Sequence, residues 1–405
     1  MPRVLALSTA SLNVPHRSPY DRLAREPGWS VDIVAPTEIE FGPGRRQACH
    51  PRTEGAAYAL HTLPVDRYLQ PRLTLFRGLR ALVQQTAPDI IYCEFDPGSA
   101  MALQARAASW PRHVPVVCFT VENIDHPRWR QAMGHFLARQ FGAAARDLTV
   151  AILSSAGERA VDGLACINQE GLDIFTRERK WHQPVMLMPL GTDVTLFRRE
   201  DAPARRASLG LDGAFVVGYF GRLTPAKAPH LLIEALAQLP QNVKLLLDMY
   251  DNFMPGSYAD TILSRADELH VRDRIVRINV HNIEVPAYMN VCDVVVLPSV
   301  STPRWREQFG RVLPEAMACE VPVIGSRSGN IPAVVGDAGI LVEEGSAPAL
   351  VRAIEELITD PVRRHQLGVR GRERVIEHFS VEAQVRQLKS LLELVLDGRR
   401  GAPWS

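Results

Sequence analysis

The chain has 405 residues, 46% of them hydrophobic and 22% charged, with 46 Lys and Arg against 45 Asp and Glu. Such usage is that of a soluble globular chain and excludes disorder, collagen and coiled coil as descriptions of the whole. The balanced charge gives no global attraction for a polyanion, so no nucleic-acid partner is expected, and the length implies two or three domains.

In chain order, Met1–Ser8 reads as a short strand and lacks the apolar core and cleavage site of a signal peptide. No apolar run reaches the ~18–20 residues of a membrane span. The six cysteines (49, 93, 118, 166, 292 and 319) show no disulfide or zinc spacing, and a reducing, cytoplasmic setting is expected. Strands are predicted at Val4–Leu7, Val31–Val34, Ile90–Tyr92, Val114–Phe119 and Gly163–Ile167, with helices between them at Leu73–Gln85 and Ala132–Ala145. The alternation then begins again. Strands are predicted at Phe215–Phe220, Val243–Leu247, Ile275–Ile278, Val294–Leu297 and Val321–Ile324. Helices are predicted at Pro229–Leu239, Tyr258–Leu269 and Val312–Ala318, and a last amphipathic one at Val381–Leu396. Strand–helix alternation implies parallel sheets built from right-handed crossovers.

The polar, aperiodic stretch Arg198–Arg206 marks a seam within Pro189–Gly213. The expected organisation is a first α/β domain over 1–190, a hinge over 191–213, and a second α/β domain over 214–380. The C-terminal helix at 381–405 would cross back to the first domain. Ligands of doubly wound sheets bind beyond the carboxyl ends of the strands, so the cleft between the domains is the default site. No internal sequence repeat is visible.

Two segments carry chemistry. In the first, Glu307-Gln-Phe309-Gly310-Arg311-Val312-Leu-Pro-Glu315, a glycine lets backbone approach a ligand closely, and a helix start offers N–H groups to an anion. Glu307 and Glu315 are eight apart, one before the helix and one inside it, so they would reach two parts of one extended, hydroxyl-rich ligand. In the second, Gly221-Arg222-Leu-Thr-Pro-Ala-Lys227 follows a strand and presents a forked and a point-charge cation. Lys227 is one of only four lysines in the chain. The segment lacks the Gly-Lys-Ser/Thr ending of a Walker loop, and no Gly-x-Gly-x-x-Gly follows any strand.

Together these segments resemble the carboxy-terminal half of family-4 retaining glycosyltransferases with the GT-B fold. That family carries a Gly-Arg-Leu…Lys-Gly loop and a Glu-x-Phe-Gly-x4-Glu-Ala-x-Ala signature. Pro189-Leu-Gly-Thr-Asp193…Phe197 is similar to its hinge segment, and Ser328-Gly-Asn-Ile-Pro332 to its Gly-Gly-x-Pro-Glu turn. The likeness spans about residues 185–345. It implies two Rossmann-like domains facing a central cleft. It also implies transfer of a hexose from a nucleotide-diphosphate sugar to a saccharide, lipid-linked or small-molecule hydroxyl acceptor. UDP-sugars are the commoner donor of that family, with GDP-mannose next. Arg222 and Lys227 would hold the diphosphate, and Glu307 the transferred sugar, as the catalytic set. Gly221, Phe309, Gly310, Arg311 and Val312 would complete donor binding, Glu315 would bind the ribose, and the base would lie near 280–283. Neither a metal nor a cofactor is expected.

The chain departs from that family at several positions. Ser8–Pro15 contains no glycine where the family has a Gly-Gly loop. Glu122-Asn123 stands where a His often touches the sugar, and is expected to contact sugar or acceptor. Ala228 and Asp248 occupy positions where glycine is usual, and Ala333 replaces a Glu. Arginines among apolar residues at Arg67–Arg80 and Arg128–Arg139 fit either an ordinary surface helix, the preferred reading, or one that meets an anionic membrane surface and places the protein peripherally on the inner face. The competing readings are a nucleotide-sugar epimerase or phosphorylase on the same fold, and a catalytically idle nucleotide-sugar-binding protein.

Overall fold

Runs of branched apolar residues that are buried on both faces become central strands of parallel sheets. Val294–Leu297, with every residue at most 1% exposed, shows the pattern. The structure, a computed structural model, describes residues 1–42, 45–66, 68, 71–125, 133, 136–137, 140–249, 257–280 and 283–401. It divides into two units, Met1–Pro189 with Gln384–Ser405, and Leu190–Ala383.

The first unit holds a parallel sheet of seven strands. They are β1 (Arg3–Leu7), β2 (Ser30–Pro36), β3 (Ala59–Leu63), β4 (Ile90–Cys93), β5 (Val116–Thr120), β6 (Gly163–Cys166) and β7 (Val185–Leu187). Their order is β7-β6-β5-β4-β1-β2-β3, with Leu7 in register with both Val34 and Cys93. The C-terminal helix Val381–Gly401 lies under this sheet from Gln384 onward: a Cβ on Gly163 would sit 2.6 Å from Val395.

The second unit holds six parallel strands. They are β8 (Phe215–Tyr219), β9 (Val243–Asp248), β10 (Ile275–Ile278), β11 (Val294–Leu297), β12 (Val323–Ser326) and β13 (Ile340–Val342). The order β10-β9-β8-β11-β12-β13 reverses direction between β8 and β11. A crevice opens beyond the carboxyl ends at such a reversal.

Three expectations need correction. Leu73–Gln85 is not one helix, since Leu75–Phe76 pairs with Val65–Asp66 and the helix starts only at Leu79. The break is Gly78 at φ +82, and Phe76 is fully buried. Arg77 pairs with Asp66 and Arg72 with Glu122, so this stretch forms no basic amphipathic helix. Arg67, Arg128–Arg130 and Arg139 lie outside the described residues. The stretch read as an aperiodic linker contains a helix at Pro203–Ser208, because Arg206 donates to the carbonyls of Val291 and Ala214 and so ties it to the sheet. No helix among the described residues is long and apolar enough to cross a membrane.

Candidate active site in the second unit

The carboxyl end of β8 runs into Phe220-Gly221-Arg222, and its neighbour across the reversal, β11, runs into Pro298-Ser299. Tyr219, buried at the end of β8, donates its phenol to the Arg222 carbonyl at 2.9 Å and so pins the loop from below. Burial raises the Tyr219 pKa, so the phenol stays a donor. Pro225–Lys227 then forms one 3₁₀ turn, closed by Ala228 at φ +49. That left-handed backbone is the physical reason for a glycine preference at such a position.

Lys227 reaches across the reversal. Its Nζ lies 2.5 Å from Glu307 Oε2, with side-chain exposures of 15% and 6%, and 5.2 Å from the centre of the Trp305 ring. Ser299 Oγ donates to the same Glu307 oxygen at 2.9 Å. Glu307 is therefore not a solvated loop carboxylate. Its backbone is clamped as well: Asn330 N donates to Glu307 O at 2.9 Å, and a Cβ on Gly329 would collide with that carbonyl at 2.2 Å. Gly329 sits at φ +49 in the turn Ser328–Asn330.

After Glu307, Phe309 turns inward against Phe379, with ring centres 5.8 Å apart. Its side chain belongs to the core, 3% exposed, and Phe309 is not among the cavity-lining residues. Gly310, at φ +74, redirects the chain into the helix Val312–Ala318, whose first N–H groups precede the intrahelical ladder. Within that helix Glu315 accepts from Arg311 Nε at 2.9 Å, and burial lifts its carboxyl above 4.5 more than Arg311 lowers it.

Lys227, Gly310 and Glu315 line one cavity of about 280 Å³, whereas Glu307, Ser299, Trp305 and Phe309 are not among its lining residues. Gly221, Arg222 and Lys227 line it from the β8 side; Leu297, Gly310, Arg311, Val312 and Glu315 from the β11 side; Asp248, Val280 and Val285 from the far end. Arg222 is exposed and makes no salt bridge among the described residues, so a strong fork of donors faces the cavity without a carboxylate to neutralise it. A cation held this way beside a helix start is suited to a phosphate.

Three participants escaped the sequence: Ser299, Trp305 and Asp248 as a cavity wall. Ser299 was visible only as the end of an apolar strand, and the loop that carries Trp305 has no regular period. Glu122 and Asn123 belong to the first unit. Glu122 is held by Arg72 at 3.1 Å and Arg179 at 3.0 Å, Asn123 is buried, and burial together with Asp96 raises the Glu122 pKa against the pull of those arginines. Among the described residues no group of three or more His, Cys, Asp or Glu side chains could hold a metal ion.

The sequence model of the family described as "Glycosyl transferases group 1" matches residues 201–374, which contain every residue lining this cavity. Residues 201–374 are similar to a group 1 glycosyl transferase domain. Over 234 residues the chain is 31% identical to a D-inositol 3-phosphate glycosyltransferase of Segniliparus rotundus, covering 55% of this chain and 49% of that protein. Over 223 residues it is 32% identical to a GDP-mannose-dependent alpha-(1-6)-phosphatidylinositol monomannoside mannosyltransferase of Mycolicibacterium smegmatis, covering 53% and 56%. The chain thus spans about half the length of the curated relatives it matches. Among solved structures, Anabaena HepE in complex with UDP and glucose superposes with a TM-score of 0.71 at 22% identity, covering 97% of this chain and all of that one. That likeness shows the architecture: the two parallel sheets are the two parts of a GT-B fold.

Proposed function

We propose that the chain is a retaining hexosyltransferase, moving a sugar from a nucleotide-diphosphate donor to a hydroxyl of a saccharide, lipid-linked or small-molecule acceptor. The observation that carries the reading is the trio at the β8–β11 reversal: Arg222, without a salt bridge among the described residues, and Lys227 bound to a buried Glu307. The names of the curated relatives, a glycosyltransferase and a mannosyltransferase, support it.

In this reading Arg222 and Lys227 take the two phosphates, with the backbone at Gly310–Val312 adding N–H donors. Glu315 accepts from the ribose hydroxyls. Glu307, held rigid by Ser299 and Asn330, accepts from the sugar hydroxyls and fixes the anomeric carbon. The bond from that carbon to the phosphate oxygen breaks while the acceptor oxygen bonds to the same face. The acceptor's proton passes to the departing phosphate. No protein nucleophile is used, and the cations stabilise the charge that develops on the leaving group. Glu122 and Asn123 serve the sugar or acceptor from the first unit.

The test is release of nucleoside diphosphate from a panel of UDP- and GDP-hexoses, in the presence of EDTA. Turnover is expected to survive the chelator, and Arg222→Ala is expected to lose ~10²–10³-fold in turnover, the usual cost of one preorganised donor. A near-normal rate for that variant refutes the phosphate assignment.

A further inference from the structure

The carboxyl edge of the first sheet carries a cluster that the donor chemistry does not use. Strand order there reverses between β1 and β4, and Glu122 stands two residues past the end of β5, the next strand out. Such an edge is where doubly wound sheets take ligands. Glu122 is fixed from three sides. Its N–H donates to Thr120 Oγ1 at 3.1 Å, and that hydroxyl donates to Asp96 at 2.6 Å. A Cβ on Gly171 would sit 2.5 Å from the Glu122 carbonyl. Behind the carboxylate, Arg179 lies 3.0 Å from Oε2, pairs with Asp125 at 2.7 Å and Glu158 at 2.9 Å, and stacks over the Phe175 ring at 4.6 Å. Oε2 is thereby sealed from water.

The other oxygen differs. Oε1 accepts from Arg72 Nη2 at 3.1 Å, and the Arg72 side chain is 35% exposed and makes no other hydrogen bond among the described residues. A carboxylate oxygen that can accept again and a guanidinium with donors to spare therefore stand side by side. We infer that Arg72 and Glu122 together bind two neighbouring hydroxyls on an uncharged ring of the acceptor. The inference rests on the reading above that the first unit serves the acceptor. A hydroxyl both donates and accepts, so one takes an N–H of Arg72 while its neighbour gives its proton to Oε1. A phosphate dianion only accepts and leaves Oε1 unanswered. It also meets a cluster in which Asp96, Glu122, Asp125 and Glu158 outnumber Arg72 and Arg179. Arg179 is a positioning residue here, since it acts on the ligand only through Glu122.

The experiment is transfer by the full chain from UDP-glucose and from GDP-mannose to paired acceptors, with UDP and GDP affinity measured alongside by calorimetry. The pairs are myo-inositol against myo-inositol 1-phosphate, and methyl α-mannoside against its 6-phosphate. The neutral ring of a pair is expected to have a kcat/KM about tenfold above its phosphate, the worth of one charge-assisted hydrogen bond. Arg72→Ala is expected to raise the acceptor KM about tenfold while nucleoside diphosphate affinity stays within about twofold. Glu122→Gln keeps the size and removes the charge, and is expected to erase the preference for the neutral ring. If that variant does not fold, Arg72→Ala and the wild-type pairs decide. A phosphorylated ring preferred by the wild type, or an unchanged acceptor KM in Arg72→Ala, overturns the inference and leaves the donor reading standing. Diphosphate binding with no ring of either kind accepted does the same. No binding of UDP or GDP and no turnover of either donor overturns the donor reading and this inference with it.

Discussion

Lys227 and Glu307 illustrate how a site residue can also be a structural one. Both are nearly withdrawn from water and 2.5 Å apart, so deleting one removes this ion pair from a charge that stays buried. Lys227→Ala is expected to lower unfolding stability by about 3–5 kcal/mol, and adding Glu307→Gln to that variant should recover most of the loss. Urea unfolding of the single and double variants measures both; a Lys227→Ala protein as stable as wild type would show the pair to be solvent-screened. Glu315 makes a different demand. Burial raises its carboxyl above 4.5, so the folded state holds that proton more readily than the unfolded chain does. Its contribution to stability therefore falls as pH rises through the window above 4.5. Glu315→Gln is expected to be the more stable protein at pH 7, with the gap closing as pH approaches 4.5; a gap that is constant across the range contradicts the cause. Both glutamates and both cations were legible in the sequence because their spacing is local. Ser299 was not, because nothing in the sequence says which oxygen a serine will serve.

Backbone elements, more than side chains, hold Glu307 in place. The turn Ser328–Asn330 presses against it so closely that any side chain at position 329 would meet the Glu307 carbonyl. Gly329→Ala is expected to shift that residue and to lower transfer about 10²-fold, as misplacements on the order of 1 Å do, while nucleoside diphosphate affinity stays within about threefold. Parallel loss of binding and transfer would mean that the turn supports the whole cavity and not Glu307 in particular. The central strands were readable because burial on both faces demands unbroken apolar runs, as in Ile90–Cys93 and Val294–Leu297. The partly exposed strands Ala59–Leu63 and Val185–Leu187 and the short strand Ile340–Val342 escaped that rule. The helix expected over Leu73–Gln85 failed for a local reason: its apolar spacing is helical, yet Gly78 breaks the backbone and Phe76 is drawn into the core.

At the scale of the molecule, both sheets wind alike. β7-β6-β5-β4-β1-β2-β3 and β10-β9-β8-β11-β12-β13 each run outward from a central first strand and then return to its other side. The sequence shows no internal repeat, since topology needs only the order of strands and helices, which many different residues satisfy. Every described residue lining the cavity belongs to the second unit, where the resemblance in sequence is also concentrated. The first unit, thin in motifs, bears the acceptor contacts in this reading, and that is why the donor chemistry is better defined than the acceptor. The most direct measurement is proton and phosphorus NMR of UDP-glucose and of GDP-mannose, both α-linked donors, turning over with water or an added sugar as acceptor. The expected result is nucleoside diphosphate appearing together with a first-formed α-anomeric product, both absent in Arg222→Ala. A first-formed β-anomer, a sugar 1-phosphate, or an epimerised nucleotide sugar without release of diphosphate would contradict retaining transfer at this site.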